Sequence, residues 1–262
     1  MKPEAPGTIL QMMYLSERIK KNKWSTFYEI GCGKGIFSNL FLRSNLKGNA
    51  VDLNARACER SSELNNRYIN SQNYTVVNGD FIDQPETNKY DVIFSCMVIE
   101  HIPNEARQVF LEKCKSLLTK NGKIAFLVPA SKKHWGVEDD VAGHILRFDR
   151  KEVELLAKNL DMKLDHLAGL TYPISNWLFS LSNYIVSKNE SNMLAKTQKE
   201  KTIYTGSREV NFKTDFPSYT AIFLNRFVLY PLHILQKIFS ENKNSMVLYF
   251  ELVKKQDEVI RN

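Results

Sequence analysis

Three glycines at alternate positions, Gly31, Gly33 and Gly35, lie between a short apolar run and an amphipathic run. The apolar run, 27–30, is typical of a buried strand, and 36–42 carries its apolar residues at helical spacing. Glycine lets the backbone turn sharply and approach a ligand without a Cβ atom in the way. A strand, a glycine-rich turn and a helix in this order favour a fold built from alternating strands and helices.

The same alternation continues along the next hundred residues. Further candidate strands are 49–53, 74–78, 90–96 and 123–128, and further candidate helices are 55–66 and 105–118. Continuous apolar strands separated by helices are typical of a mostly parallel sheet covered on both faces. We therefore predict a doubly wound, Rossmann-like α/β fold, extended by a helix near Asp149 and a strand over 162–170.

The stretch 171–244 does not follow this alternation. It holds apolar residues at helical spacing over 174–185, a polar lysine-rich run over 189–213 that we predict as a loop, and an apolar run over 221–239. Strand composition returns over 246–253. We predict three parts: an N-terminal helix with the Rossmann-like core (1–170), a helical cap insertion that contacts the acceptor (171–244), and the last strand with a C-terminal tail (245–262).

The positive charge lies outside the central body of the chain. Lys and Arg number 36 against 29 Asp and Glu, which gives a formal charge of +7. Residues 25–170 contain 19 of each, so the excess belongs to 1–24 and 171–262. Nucleic-acid-binding domains concentrate Lys and Arg on one face. The neutral body therefore disfavours nucleic acid as a partner.

Cysteine usage and apolar runs bear on the compartment. The four cysteines show no C-x-x-C spacing, so we expect no metal site and no disulfide framework, as in a reducing cytoplasm. Residues 1–11 lack the apolar stretch of a secretory signal. The run 221–239 is interrupted by Arg226 and broken by Pro231, so we expect no transmembrane helix.

Acidic and polar residues follow the next strands at their carboxyl ends, where ligands of open α/β sheets bind. Asp52 ends the second strand, Asp80 and Phe81 follow the third, and the fourth ends at Ser95 and Cys96. A dinucleotide fingerprint would place its third glycine at position 36, which is Ile36 here. That disfavours a nicotinamide oxidoreductase.

Together these motifs resemble those of the class I S-adenosylmethionine-dependent methyltransferases, over about 27–165. The segments that carry the resemblance are 29–35, Asp52, 79–81, 90–103 and 117–123. The Cys-Met-x-x-Glu-His-x-Pro run over 96–103 is similar to small-molecule O-methyltransferases of quinone biosynthesis. The Gly-His-x-x-Arg-aromatic run over 143–148 is similar to members that act on sugars, lipids or other small acceptors.

The resemblance implies a seven-stranded sheet with an antiparallel last strand, and S-adenosylmethionine as the cofactor, released as S-adenosylhomocysteine. It assigns the loop to the methionine part, Asp52 to the ribose hydroxyls, and Asp80 with Phe81 to the adenine. The cofactor-binding residues it implies are Glu29, Gly31, Cys32, Gly33, Gly35, Asp52, Leu53, Asp80, Phe81, Ser95 and Cys96.

Transfer to a hydroxyl needs a base, and His101 and His144 are the two candidates because imidazole titrates near neutral pH. Both also suit structural roles. The candidate acceptor-binding residues are Trp135, Arg147, Phe148 and Tyr172. Arg147 either holds an anionic acceptor or pairs with the neighbouring acids, and the aromatic residues either line a pocket or pack.

These features favour methyl transfer to an oxygen of a small, lipid- or glycan-linked acceptor. Two alternatives stay open: transfer to nitrogen or carbon of a small metabolite, and a catalytically inactive cofactor-binding partner subunit. The cap either contacts a membrane peripherally, helped by the cations of 188–213, or packs on the sheet or on a second subunit. The sequence leaves the oligomeric state open.

Overall fold

The structure, a computed structural model, describes residues 2–206, 208–210 and 212–255. The predicted tail beyond 255 lies outside the described residues. The described residues form one seven-stranded sheet in the order β3-β2-β1-β4-β5-β7-β6, in which β7 runs antiparallel to the other six strands. Its strands are β1 (Thr26–Ile30), β2 (Lys47–Asp52), β3 (Tyr74–Asn78), β4 (Tyr90–Cys96), β5 (Leu118–Pro129), β6 (Met162–Leu170) and β7 (Val247–Lys254).

Helices cover both faces of the sheet, as the alternation predicts. One core cluster joins the strands to α5 and α7, and a second joins them to α1 and α2. The helices are α1 (Pro6–Asn22), α2 (Ile36–Arg43), α3 (Ala55–Leu64), α4 (Asn66–Asn70), α5 (Asn104–Ser116), α6 (Val137–Ala142), α7 (Arg150–Asn159), α8 (Ile174–Asn189), α9 (Gln198–Thr205) and α10 (Tyr230–Ile238). The doubly wound fold with an antiparallel last strand is confirmed.

The chain between β6 and β7 leaves and rejoins the sheet at one edge. Leu170 at the end of β6 pairs with Val247 at the start of β7, and Val247 pairs with Pro129 at the end of β5. This is the edge where the parallel strands have their carboxyl ends. The cap therefore starts and finishes beside the polar residues that follow those strands.

Two features of the cap differ from the sequence prediction. The polar run 189–213 is not a plain loop, because it contains the 3₁₀ turn Ser191–Ala195 and helix α9. Pro231 does not break a helix but lies in the first turn of α10. The backbone nitrogens of a first turn have no intrahelical partner, so proline costs nothing there.

Buried charged side chains attach α1 to strands β5 and β7. Arg18 donates from Nε and Nη2 to the carboxylate of Glu251 on β7, at 2.6 and 2.8 Å. Lys123 on β5 donates to the same carboxylate at 2.9 Å. Burial alone would raise the pKa of Glu251, but these two cations outweigh it and lower the pKa to about 2.

Candidate functional site

The glycine-rich turn between β1 and α2 has a backbone that only glycine adopts readily. Gly31, Gly33 and Gly35 have φ angles of 73°, 51° and 79°, in the left-handed region. A Cβ on Gly31 would overlap the Val98 side chain, and one on Gly35 would overlap Ser61. The loop is thus fixed by tight packing, and by hydrogen bonds from the amides of Gly31 and Gly35 to the carbonyls of Val51 and Cys32.

Asp52, at the end of β2, fixes the loop from the neighbouring strand. One carboxylate oxygen accepts the Gly33 amide at 2.8 Å, and the other accepts the Asn54 amide at 2.9 Å. Burial raises the pKa of Asp52. A carboxylate has about four acceptor positions. Two therefore stay available for the hydroxyl pair of a ribose.

Glu29 lies beneath the loop rather than beside a ligand. Its side chain is buried, and it accepts the hydroxyl of Ser38 on α2. Burial raises the pKa of Glu29 to about 8. This placement agrees with a role in fixing the loop.

The other predicted cofactor-binding residues fall into two groups. Leu53 and Asp80 are exposed at the strand ends, where a ligand can reach them. Cys32 and Ser95 are buried and Cys96 is partly buried, so they offer mainly their backbone atoms. The Ser95 hydroxyl has no hydrogen-bond partner within the described residues.

Two aromatic side chains that were predicted to contact ligands are packed in the core. The Phe81 ring lies 5.8 Å from the ring of Tyr28 and 5.2 Å from that of Phe110, inside the core. Phe148 is 2% exposed and belongs to the same core cluster. Neither ring therefore has a free face for an adenine or an acceptor.

His144 has the hydrogen-bond partner that a general base needs. Its Nδ1 lies 2.7 Å from an oxygen of Asp139. Burial raises the pKa of Asp139, but the hydrogen bonds from His144 and Arg147 outweigh this and lower it. The acid is therefore ionised and accepts, and Nδ1 must donate. That leaves Nε2 of neutral His144 with a free lone pair.

Glu100 and His101 complete a buried cluster around His144. An oxygen of Glu100 lies 3.7 Å from His144 Nε2, and the Glu100 carboxylate has no hydrogen bond to any described residue. Burial raises the pKa of Glu100 to about 7 and lowers that of His101 to about 4. His101 Nδ1 donates to the carbonyl of Gly143 at 3.1 Å.

This cluster can hold a proton or a cation. Glu100, His101 and His144 each offer one ligand atom, and these atoms lie within 4.8 Å of one another. The prediction of no metal site rested on the spacing of the cysteines, and that spacing gives no information about a site made of carboxylate and histidine ligands. The cluster also adjoins the glycine loop, because Val98, which contacts Gly31, accepts the amide of His101 at 3.0 Å.

The remaining candidate acceptor-binding residues, Arg147, Trp135 and Tyr172, differ in burial and in hydrogen-bond partners. Arg147 is buried and donates to Asp139 at 2.8 Å and to the Ala130 carbonyl at 2.8 Å, so it pairs with an acid. Trp135 is partly exposed, and its Nε1 donates to Asp140 at 2.9 Å. The partly buried Tyr172 lies 5.4 Å from the ring of Phe239. Trp135 and Tyr172 keep surface that an acceptor can contact.

Helix α9 of the cap contacts both halves of the site, which the sequence did not predict. The side chain of Asn54 donates to the carbonyl of Ile203 at 2.7 Å. A Cβ built on Gly206 would lie 3.4 Å from an oxygen of Asp52. Gln198 donates to the carbonyl of Gly143. Asn54 carried a local signal as the cap of α3, but no signal linked it to a residue 149 positions away.

The residues present fit a nucleoside-containing cofactor. The loop supplies close backbone approach, Asp52 supplies free acceptor positions, and Asp80 is open to solvent at the next strand end. Comparisons with known proteins agree. Residues 28–124 match the family profile described as "Methyltransferase domain".

Two curated relatives show partial similarity. A ubiquinone biosynthesis O-methyltransferase of Glaesserella parasuis is 29% identical over 43% of this chain and 49% of its own length. A malonyl-[acyl-carrier protein] O-methyltransferase of Ilyobacter polytropus is 26% identical over 63% of this chain and 58% of its own. The chain thus spans about half the length of the curated relatives it matches.

A solved structure shares the fold over nearly the whole chain. It is a putative sarcosine dimethylglycine methyltransferase from Galdieria sulphuraria, 16% identical, with a TM-score of 0.56. The match covers 94% of this chain and 85% of that one.

Proposed function

This chain belongs to the class I S-adenosylmethionine-dependent methyltransferases, and from that premise we propose that it methylates an oxygen of a small, lipid- or glycan-linked acceptor. The observation that carries the proposal is the pair of Asp139 and His144 beside the glycine loop. An oxygen acceptor must lose a proton, and this pair is built to take one.

The cofactor supplies a methyl group on a sulfonium, which is already a good leaving group. The chain's own residues bind the cofactor and orient it relative to the acceptor. The glycine turn 31–35 allows close approach of the cofactor to the backbone, and the carboxylate of Asp52 would hold its ribose, with Asp80 toward the adenine. Fixing donor and acceptor in line is the main contribution that such a reaction needs from a protein.

The proton is handled at His144. With a hydroxyl acceptor bound beside it, Nε2 of His144 would take the hydroxyl proton, and S-adenosylmethionine held at the glycine loop would supply the methyl group. Asp139 keeps Nδ1 protonated and stabilises the imidazolium that results. Glu100, 3.7 Å from Nε2, lies on the path by which that proton can leave. Neutral His101 helps shape the pocket wall.

The relatives' names support an oxygen acceptor: ubiquinone biosynthesis and malonyl-acyl-carrier-protein O-methyltransferases are both among them. In the described part of the chain, none of the helices has both the length and the apolar character that crossing a bilayer requires. We assign this chain to the cytoplasm, with peripheral contact at the inner membrane face where a lipid-linked acceptor would be met.

Asp52→Asn tests cofactor binding. One amide contact is retained, while the charge and half of the acceptor capacity are lost, so the dissociation constant for S-adenosylmethionine should rise by about tenfold or more, ~1.4 kcal/mol. Isothermal titration calorimetry measures it. Asp83→Asn, on the turn that follows Asp80, is the matched control. Unchanged affinity in Asp52→Asn would refute the cofactor assignment.

His144→Ala tests the base. Turnover with a hydroxyl acceptor should fall about 10²–10⁴-fold, while the calorimetric affinity for S-adenosylmethionine stays the same. Asp139→Asn should lower the rate and shift its pH dependence, because the imidazole loses its orienting charge. A double His101→Ala/His144→Ala variant that keeps substantial turnover would instead indicate an amine or carbon acceptor.

A further inference from the structure

The cap segment 218–239 presents large apolar side chains to solvent. Ile222, Phe223 and Phe227 are 70%, 69% and 82% exposed. Other exposed apolar side chains of the segment are Tyr219, Val228, Tyr230, Ile234, Ile238 and Phe239. So many in one short segment mark an interaction surface, which we call the 218–239 surface.

The opposite face of the segment is already occupied. Gln236 donates to the carbonyl of Leu10 and accepts the amide of Thr171, both at 3.0 Å. His233 and Glu17 lie in hydrogen-bond contact at 2.9 Å. These polar contacts hold α10 on α1 and at the end of β6. The apolar face therefore points away from the core and is available to a partner.

The charge of the segment favours a lipid surface. Residues 216–240 include no Asp or Glu and two cations, Arg226 and Lys237. Lys237 is paired with Glu17 at 2.8 Å. Arg226 is exposed and has no ion-pair partner within the described residues. A cation among exposed aromatic and aliphatic side chains complements anionic headgroups above acyl chains.

A second copy of this chain is a less favourable partner for the 218–239 surface than a lipid bilayer. A twofold contact through this face would bring two Arg226 side chains into one apolar interface with no acid from 216–240 to compensate. Phenylalanine and tyrosine rings, in contrast, are well accommodated at the boundary between headgroups and acyl chains.

We propose that the 218–239 surface docks on an anionic lipid bilayer, with its apolar side chains in the interfacial layer and Arg226 against lipid phosphates. This deepens the peripheral contact proposed above and rests on it. It also moves the contact away from 188–213, where Arg208 donates to Glu190 at 2.8 Å and Lys213 to Glu138 at 2.8 Å. Since the cap joins the sheet at the site edge, docking brings that edge near the membrane.

Vesicle sedimentation tests the proposal. The wild-type chain should sediment with vesicles of phosphatidylglycerol and phosphatidylcholine, and less with phosphatidylcholine alone. Phe223→Ser/Phe227→Ser should weaken binding by about tenfold or more, and Arg226→Gln by about fivefold, ~1 kcal/mol per cation. Val109→Ser and Leu155→Ser remove exposed apolar side chains from α5 and α7, away from this surface, and should change nothing.

Absence of wild-type sedimentation, or equal sedimentation of the double variant, would overturn the proposal. A concentration-dependent dimer that the double variant abolishes, without vesicle binding, would overturn it in favour of a second copy. Calorimetry separates the two proposals: the docking variants should bind S-adenosylmethionine as the wild type does. Vesicle binding without S-adenosylmethionine binding would indicate failure of the proposed function instead.

Discussion

At the residue scale, burial decides which carboxyl groups are charged. Asp52 and Glu29 lie one strand apart, yet only Asp52 accepts two backbone amides. Among the described residues, Glu29 has the Ser38 hydroxyl and no cation beside it, so burial dominates and raises its pKa to about 8. Burial raises the pKa of Asp52 as well, but the two amides favour its carboxylate form, which can accept hydroxyl groups, whereas Glu29 is largely neutral at pH 7.

Glu29 should make the ligand-free protein less stable as the pH rises. Its pKa is raised from 4.5 to about 8, so the folded state holds the proton more tightly than the unfolded state does. The stabilisation is complete below pH 4.5 and is lost as the pH rises to about 8. The free energy of unfolding should fall relative to Glu29→Gln by up to about 5 kcal/mol.

Urea titrations at several pH values measure this difference. Glu59→Gln, which changes an exposed carboxyl on α3, serves as the control and should show little pH dependence. A constant difference between wild type and Glu29→Gln across this range would contradict the buried neutral acid.

The sequence indicated which residues meet at the strand ends better than it indicated the direction of their side chains. Gly33 and Asp52 follow strands, so strand order alone brings them together, and the structure joins them at 2.8 Å. Spacing cannot say which way an aromatic side chain faces, and Phe81 and Phe148 turned into the core. Glu100 lay inside a recognised motif, but its lack of a hydrogen-bond partner is visible only in three dimensions.

At the element scale, α9 joins two loops that are far apart along the chain. Asn54 contacts Ile203 at one end of the helix, and Gln198 contacts Gly143 at the other. Beyond the helix, Glu209 forms an ion pair with Arg60 of α3 at 2.5 Å. Because Gly206, directly after α9, lies beside Asp52, a cofactor that binds this carboxylate as proposed would share the space with the end of the helix.

Gly206→Leu should weaken cofactor binding. A Cβ at Gly206 is 3.2 Å from Asn54 Cβ and 3.4 Å from Asp52, so a long side chain would crowd the carboxylate. The dissociation constant for S-adenosylmethionine should rise by about tenfold, ~1.4 kcal/mol. Calorimetry measures this change. Gly206→Ala, which adds one carbon, should have a much smaller effect. Equal affinities for wild type and Gly206→Leu would contradict the close approach of Gly206 to Asp52.

At the scale of the whole molecule, the buried Arg18–Glu251–Lys123 cluster joins α1, β5 and β7. All three of these side chains are charged, and Glu251 is fully buried. The strand pattern predicted the sheet well, with β3, β4 and β6 matching the expected bounds. The cap was predicted poorly because its short helices are set by contacts with α1 and α6 rather than by a local period.

Glu251→Gln should destabilise the fold by about 3–5 kcal/mol, because the buried Arg18 loses its counter-charge, while Lys123 keeps only that of Asp165, 2.6 Å away. The pKa of Glu251 is lowered from 4.5 to about 2, so in the wild type this stabilisation is present above pH 4.5 and is lost as the pH falls toward 2. Chemical denaturation measures both effects.

Glu241→Gln provides the control, since its exposed ion pair with Arg150 should contribute less than about 1 kcal/mol. Similar destabilisation by the two substitutions would show that the buried cluster contributes no more than a surface pair.

β7 lies between β5 and β6 although it follows both along the chain. While a ribosome is still translating the cap, β5 and β6 therefore have unpaired edges that other chains can join. Native pairing at this end of the sheet must wait for residues 247–254, long after the glycine loop has been made. A nascent chain of this protein should depend on chaperones most strongly during that interval, and a pause in translation there should favour aggregation.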